Sequence, residues 1–241
     1  MHRGVQSKTI KGLRRLTAFW NASSDMQRIV AAHTSRRINK WNHYFEIYDR
    51  HFGSFRGRPV TVLEIGVESG GSLELWRSYF GPSAKILGVD LNPKCRAFEG
   101  PNTFIRIGNQ GDCNFITGIA AEFGPFDIII EDGSHVFEHQ INSFRWLFPH
   151  LHSGGLYCCE DLCTSYLEQD FGGGVRKPGT GIEFFKSLLD DQNAWFARDD
   201  VAADPSALPH NLFGLHFYPT LAIVEKRPVP APMITPVGRS N

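Results

Sequence analysis

A chain of 241 residues is long enough for one α/β domain with a modest extension, and its 41% apolar content can cover a real core. A formal net charge of zero excludes a general electrostatic footprint for nucleic acid. No run approaches the ~20 apolar residues of a membrane span, and the basic N-terminus lacks the apolar core and cleavage site of a secretory signal.

The charge is unevenly placed. Residues 1–40 carry nine Lys/Arg and one acid, Asp25, so the remainder is acidic. Within that arm Ile10, Leu13, Leu16 and Trp20 fall at helical spacing among Lys11, Arg14 and Arg15. An arm packed on its own domain or on a partner subunit is favoured over a membrane-surface helix, and a homo-oligomer is expected. Residues 25–52 read as helical, with Trp41, Tyr44, Phe45 and Tyr48 recurring on one face. This gives a basic helical arm and cofactor cover over 1–52, a main domain over 53–227 and a proline-rich tail over 228–241.

From Val60 the pattern changes to short apolar runs alternating with helical segments. Strands are predicted at Val60–Gly66, Lys85–Asp90, Thr103–Ile107, Phe126–Glu131 and Leu156–Glu160. Helices are predicted at Ser72–Phe80, Asp112–Phe123, Val136–Leu151 and from Gly181 to about Asp190. Such alternation implies right-handed crossovers and a parallel sheet covered on both faces. The last two strands, Leu212–Tyr218 and Leu221–Glu225, are too close for a crossover and must form an antiparallel hairpin. The predicted class is therefore a Rossmann-like α/β fold: a seven-stranded, mostly parallel sheet ending in an antiparallel hairpin, as in class I methyltransferases. The five cysteines, Cys95, Cys113, Cys158, Cys159 and Cys163, give no disulfide framework and read as reduced thiols of a cytoplasmic protein.

The turn Glu64-Ile65-Gly66-Val67-Glu68-Ser69-Gly70-Gly71-Ser72 closes the first strand and opens a helix. Asp90 follows at the end of the second strand, where a carboxylate can accept from both ribose hydroxyls. A glycine-rich turn with a later acid also fits nicotinamide or flavin cofactors. The missing G-x-G-x-x-G spacing removes the pyrophosphate cradle. Glu64 would repel a phosphate and suit the cationic aminoacyl end of S-adenosylmethionine. Asn109 and Gln110 could line an adenine, and Asp112 either does so or caps the next helix. Tyr44 would cover the cofactor.

Asp132 ends the fourth strand, and Glu160 and Asp161 end the fifth. Ligands of open α/β sheets bind outside the carboxyl ends of the strands. Three carboxylates crowded there favour a cation, and oxygen ligands favour Mg²⁺ or Ca²⁺. His135, at the mouth of the next helix, could act as a general base. The alternative is an iron site of Asp132, His135 and His139. Beyond Asp161, five glycines between Gly172 and Gly181 suggest a lid with little intrinsic order.

The set Ile130-Glu131-Asp132-Gly133-Ser134-His135, Glu138-His139-Gln140, Ser143-Phe144, Glu160-Asp161-Leu162 and Thr164-Ser165-Tyr166 resembles the sugar O-methyltransferases of the mycinamicin and demethylmacrocin type. Rhamnosyl O-methyltransferases share the pattern. The resemblance runs from about Lys40 to Lys226. It implies Mg²⁺ on Asp132, Glu160 and Asp161, a base at His135, S-adenosylmethionine as donor, and a sugar hydroxyl of a natural product, glycolipid or polysaccharide as acceptor. Cephalosporin-hydroxylase-like proteins carry related sequences, so an iron oxygenase and a non-catalytic donor-binding partner stay open. Glu131, Cys163 and Leu167 depart from residues common in the family, the last two beside the acceptor.

Overall fold

A computed structural model describes residues 22–196 and 208–238. The basic helix read over residues 8–20 lies outside them. Among the described residues seven strands form one sheet in the order Thr103–Ile107, Lys85–Asp90, Thr61–Ile65, Phe126–Glu131, Leu151–Cys159, Leu221–Lys226, Leu212–Tyr218, the α/β architecture expected. The chain divides into two compact units, Met1–Phe126 and Asp127–Asn241.

In the first unit, α1 (Asp25–Ala32) is capped by Ser24, whose hydroxyl accepts from the Gln27 amide at 3.2 Å. The helix read across 25–52 is interrupted. Ser35 Oγ and the Arg36 amide both donate to the Glu74 carboxylate, at 3.0 and 3.2 Å, and draw residues 33–40 out of helical geometry. The chain becomes helical again at α2 (Tyr44–Phe52). This helix buries Tyr48 and Phe52 against Trp76 and Phe80 of α3 (Gly71–Phe80). Trp76 is wholly buried, and truncating such a residue to alanine typically costs ~3–5 kcal/mol.

Between these helices runs β1 (Thr61–Ile65), parallel to β2 (Lys85–Asp90), which pairs in parallel with β3 (Thr103–Ile107). α4 (Cys113–Phe123) follows. Asp112 is its N-cap, accepting from the amides of Asn114 and Phe115 at 2.9 and 3.2 Å.

The second unit carries β4 (Phe126–Glu131) from Asp127 onward, then α5 (Phe137–Leu147) and β5 (Leu151–Cys159). α5 ends earlier than its apolar pattern suggests because Pro149 has no amide to donate and forces a tighter turn over Phe148–His150. β5 begins five residues before the predicted strand. After it come a 3-10 turn at Leu162–Tyr166, the single-turn α6 (Glu168–Phe171) and α7 (Gly181–Gln192). β6 (Leu212–Tyr218) and β7 (Leu221–Lys226) form the antiparallel hairpin, and β7 also runs antiparallel to β5. Phe144, Phe148, Tyr157 and Phe185 make an aromatic core beneath β5.

Candidate functional site

The first unit gathers polar groups at the ends of β1 and β2. Asp90 Oδ2 accepts from the amides of Val67 and Glu68, each at 2.9 Å, and Oδ1 accepts from Asn92 at 2.7 Å. The acid expected to read a ribose therefore also fixes the glycine turn. Gly66 and Gly70 take left-handed backbone, with φ 95° and 72°. A Cβ on Gly71 would stand 2.1 Å from the Arg37 carbonyl oxygen, so only glycine lets residues 36–37 lie against the start of α3.

Glu64 is wholly buried. Its Oε2 accepts from Ser72 Oγ at 2.7 Å, and its Oε1 lies 3.4 Å from Lys40 Nζ, itself on a side chain only 2% exposed. Sequence reasoning assigned no role to Lys40, whose partner lies 24 residues on with no local pattern joining them. Tyr44 is buried with its ring edge-on to Tyr48. Asn109 Oδ1 accepts from the Gly111 amide at 2.8 Å, closing the turn before α4, and Gln110 is buried beside it in sequence.

The second unit gathers Asp132, His135 and Asp161. One potential ligand atom from each lies within 4.8 Å of the others. His135 Nε2 stands 3.5 Å from Asp161 Oδ2 and 4.0 Å from Asp132 Oδ1. His135 Nδ1 is buried without a hydrogen-bond partner, so Nε2 is the ring atom directed at the carboxylates. His135 and Asp161 both hold left-handed backbone, φ 57° and 53°, a conformation costing ~1–3 kcal/mol in a non-glycine residue. Buried Thr164 Oγ1 lies 3.2 Å from the His135 carbonyl and 3.1 Å from the Asp161 carbonyl. One hydroxyl thus spans both strained residues, a role the sequence motif did not disclose.

Glu160 is not part of the converging group. It is buried, its amide donates to the Glu131 carbonyl at 2.9 Å, and its own carbonyl accepts from Gln140 Nε2. Glu131, also buried, accepts from the Cys159 thiol at 3.3 Å. Burial, and then the Glu131 carboxylate, push that thiol far above its usual range. His139 Nδ1 pairs with Ser134 Oγ at 2.7 Å and does not join Asp132 and His135.

Two hard carboxylates and one imidazole converging at this spacing fit a small divalent cation, which would neutralise like charges that otherwise repel. The glycine turn, Asp90 and the buried acid Glu64 fit an adenosyl donor carrying a cationic amino-acid end.

The chain has the α/β methyltransferase fold and is homologous to sugar O-methyltransferases. It is 42% identical over 214 residues to the 8-demethyl-8-(2-methoxy-alpha-L-rhamnosyl)-tetracenomycin-C 3'-O-methyltransferase of Streptomyces olivaceus, an alignment covering 84% of this chain and 54% of the relative. It is 41% identical over 189 residues to the mycinamicin VI 2''-O-methyltransferase of Micromonospora griseorubida, covering 74% and 47%. Among solved structures it resembles the MycE methyltransferase of mycinamycin biosynthesis in complex with Mg and SAH, with a TM-score of 0.71 and 39% identity over 79% of this chain and 50% of that one. The chain spans about half the length of the curated relatives it matches. No family model matches it.

Proposed function

We propose that this chain transfers a methyl group from S-adenosylmethionine to a hydroxyl of a sugar on a glycosylated natural product, with Mg²⁺ or another divalent cation as cofactor. The observation that carries the reading is the convergence of Asp132, His135 and Asp161 on strained backbone bridged by Thr164. Relatives named for the same chemistry support it.

Asp132, Glu160 and Asp161 would hold the cation, the set that the family resemblance implies, with Asp132 and Asp161 the two that converge on His135. A bound divalent cation supplies Lewis acidity that lowers the pKa of a hydroxyl held beside it. His135 Nε2 would take the hydroxyl proton as an O–CH3 bond forms, the S–CH3 bond breaks and its electron pair stays on sulfur, leaving a neutral thioether. The charge balances: the alcohol loses a proton to the imidazole and the donor loses its positive charge. Glu64, Gly66, Ser72, Asp90, Asn109, Gln110 and Tyr44 would form the donor pocket.

The iron-oxygenase reading needs His139 beside Asp132, and His139 is instead engaged with Ser134. Among the described residues no helix is long and apolar enough to cross a membrane. A cytoplasmic, homo-oligomeric enzyme whose N-terminal arm covers the donor remains part of the proposal.

Calorimetry with S-adenosylhomocysteine, followed by transfer assays on rhamnosylated and macrolide acceptors with and without EDTA, tests it. The expected result is donor-product binding that survives EDTA and transfer that does not. Transfer unaffected by chelation would sink the metal mechanism. Binding without transfer to any glycoside would favour a non-catalytic donor-binding protein.

A further inference from the structure

In the second unit Gln140 is a wholly buried polar side chain to which the mechanism above gives no role. It stands in the first turn of α5, the helix that leaves the His135 loop. A carbonyl oxygen only accepts, so the Nε2 end of its amide must face the Glu160 carbonyl, to which it donates at 3.2 Å. The Oε1 end is buried with no hydrogen-bond partner among the described residues. Gly181 opens α7 directly against it. A Cβ there would collide with Gln140 Oε1 and stand 3.3 Å from Leu162, so only glycine lets the helix start this close.

As a packing device this is costly. A buried amide oxygen left without a donor costs about 1–3 kcal/mol, and an apolar side chain of similar size would fill the space without that cost. What the amide supplies is a fixed point on the Glu160–Asp161 turn. The Glu160 amide is held by the Glu131 carbonyl at 2.9 Å, the Leu162 amide by the Thr220 carbonyl at 2.8 Å, and the Asp161 carbonyl by Thr164. Gln140 adds the Glu160 carbonyl to that set. The Cys159 thiol, 3.9 Å from the same carbonyl, lies closer to the Glu131 carboxylate and is a weak donor in any case. The Glu160 carbonyl belongs to the peptide plane from which the φ of Asp161 is measured. A hydrogen bond to it therefore fixes one side of the 53° torsion that aims the Asp161 side chain.

Resting on the divalent-cation site proposed above, we propose that Gln140 is a positioning residue of that site. By holding the Glu160 carbonyl it sets the strained torsion of Asp161, and so the direction of the Asp161 carboxylate toward His135 and Asp132. Gly181 seats Gln140 by leaving room for its amide. Groups that orient the ligands of a metal in this way are worth about 10–100-fold in its affinity.

The test reads cation binding by the full chain rather than turnover. Mg²⁺ is titrated calorimetrically, and Mn²⁺ by paramagnetic resonance, into wild type, Gln140→Ala, Gly181→Ala and the double variant. S-adenosylhomocysteine affinity and the thermal midpoint are measured on each. Gln140→Ala should weaken Mg²⁺ by about 10–100-fold. Gly181→Ala keeps the amide but drives it off the carbonyl, and should weaken Mg²⁺ in the same range. The double variant should bind no worse than Gln140→Ala, because the added methyl enters the space that the amide has left. S-adenosylhomocysteine affinity should stay at the wild-type value throughout. Wild-type Mg²⁺ affinity in Gln140→Ala, with only the midpoint lowered, makes Gln140 a packing residue and overturns the proposal. Additive losses in the double variant overturn it too, as does equal loss of Mg²⁺ and S-adenosylhomocysteine affinity, which reports general loosening. If Gln140→Ala does not fold, Gln140→Met, which keeps the length and removes the donor, is judged by its Mg²⁺ affinity in the same way. Failure of both to fold makes Gln140 a core residue and refutes the assignment. If Gly181→Ala alone does not fold, the Gln140 variants decide. Wild type that binds neither Mg²⁺ nor Mn²⁺ refutes the cation site itself, a result distinct from loss of the Gln140 contribution.

Discussion

His135 and Asp161 hold their side chains together through backbone that few side chains tolerate. Thr164 Oγ1, with one proton to share, lies within hydrogen-bond distance of both their carbonyls. This separates two kinds of substitution. His135→Asn keeps a residue that visits left-handed backbone readily but removes the base. Turnover should fall ~10²–10⁴-fold, the usual worth of a general base, while S-adenosylhomocysteine affinity by calorimetry stays at the wild-type value. Near-normal turnover removes His135 from the role. Thr164→Val keeps the shape and loses the bridging hydroxyl. Its Mg²⁺ affinity should drop ~2–10-fold, the net value of one hydrogen bond, and Thr164→Ser should restore it. If Val and Ser variants bind Mg²⁺ alike, the bridge has no part in ordering the site.

Elements differ in how much of them a sequence discloses. β2, β3 and β6 match their predicted limits residue for residue, since each is an apolar run ended by an acid, a glycine or a turn. Asp132, His135 and Asp161 were legible because a parallel sheet presents its strand ends as a binding edge. The break between α1 and α2 was not, because the carboxylate that causes it belongs to Glu74, 38 residues from Arg36. Lys40 was hidden for the same reason. The glycine-rich stretch after Asp161 is tied down at some of its residues in a way that composition does not show. Its composition suggests a lid of little intrinsic order, yet Gly173 donates to the Leu167 carbonyl at 2.9 Å, Gly174 to Ser165 at 2.8 Å, and Ile182 to Ser165 Oγ at 3.0 Å. A Cβ on Gly173 would come 2.5 Å from the Ser165 oxygen. Close approach to the Leu162–Tyr166 turn, rather than freedom, is what requires glycine there. The amides of Gly173, Gly174 and Ile182 should therefore exchange slowly without any ligand, and Gly173→Ala should destabilise the fold by ~1–3 kcal/mol through overpacking. Exchange at the rate of unprotected chain would return the segment to a mobile lid.

At the scale of the whole molecule the buried acids set an alkaline limit. Burial raises Cys95 to about 11, helped by the nearby Asp90 carboxylate. Burial also raises Tyr157 and Cys159, both facing the Glu131 charge, and Cys163, which faces Asp161. Tyr79 is raised by burial and by its hydrogen bond to Asp49. Each of these groups is neutral in the folded chain and would ionise at an ordinary thiol or phenol pKa once unfolded. The unfolded state therefore releases protons first as pH rises, and stability falls with pH wherever that holds. The contribution is complete below pH ~9 and is lost as pH climbs through the folded values, between 9.0 and about 11 for Cys95. Lys226 acts in the opposite sense, because burial lowers its pKa while its ammonium donates to the carbonyls of Pro149 and Leu151. Burial lowers Arg77 in the same sense, so among the described residues two groups oppose five and the thiols and phenols prevail. Each fully ionising group adds a slope of ~1.4 kcal/mol per pH unit. The thermal midpoint should hold level from pH 7 to about 8.5 and then decline steadily to pH 11. Thiolate absorbance from Cys95 and Cys159 should appear only as the chain unfolds. A midpoint indifferent to pH across that interval, or all thiols ionising together before unfolding, would show that these groups are not held neutral by the fold.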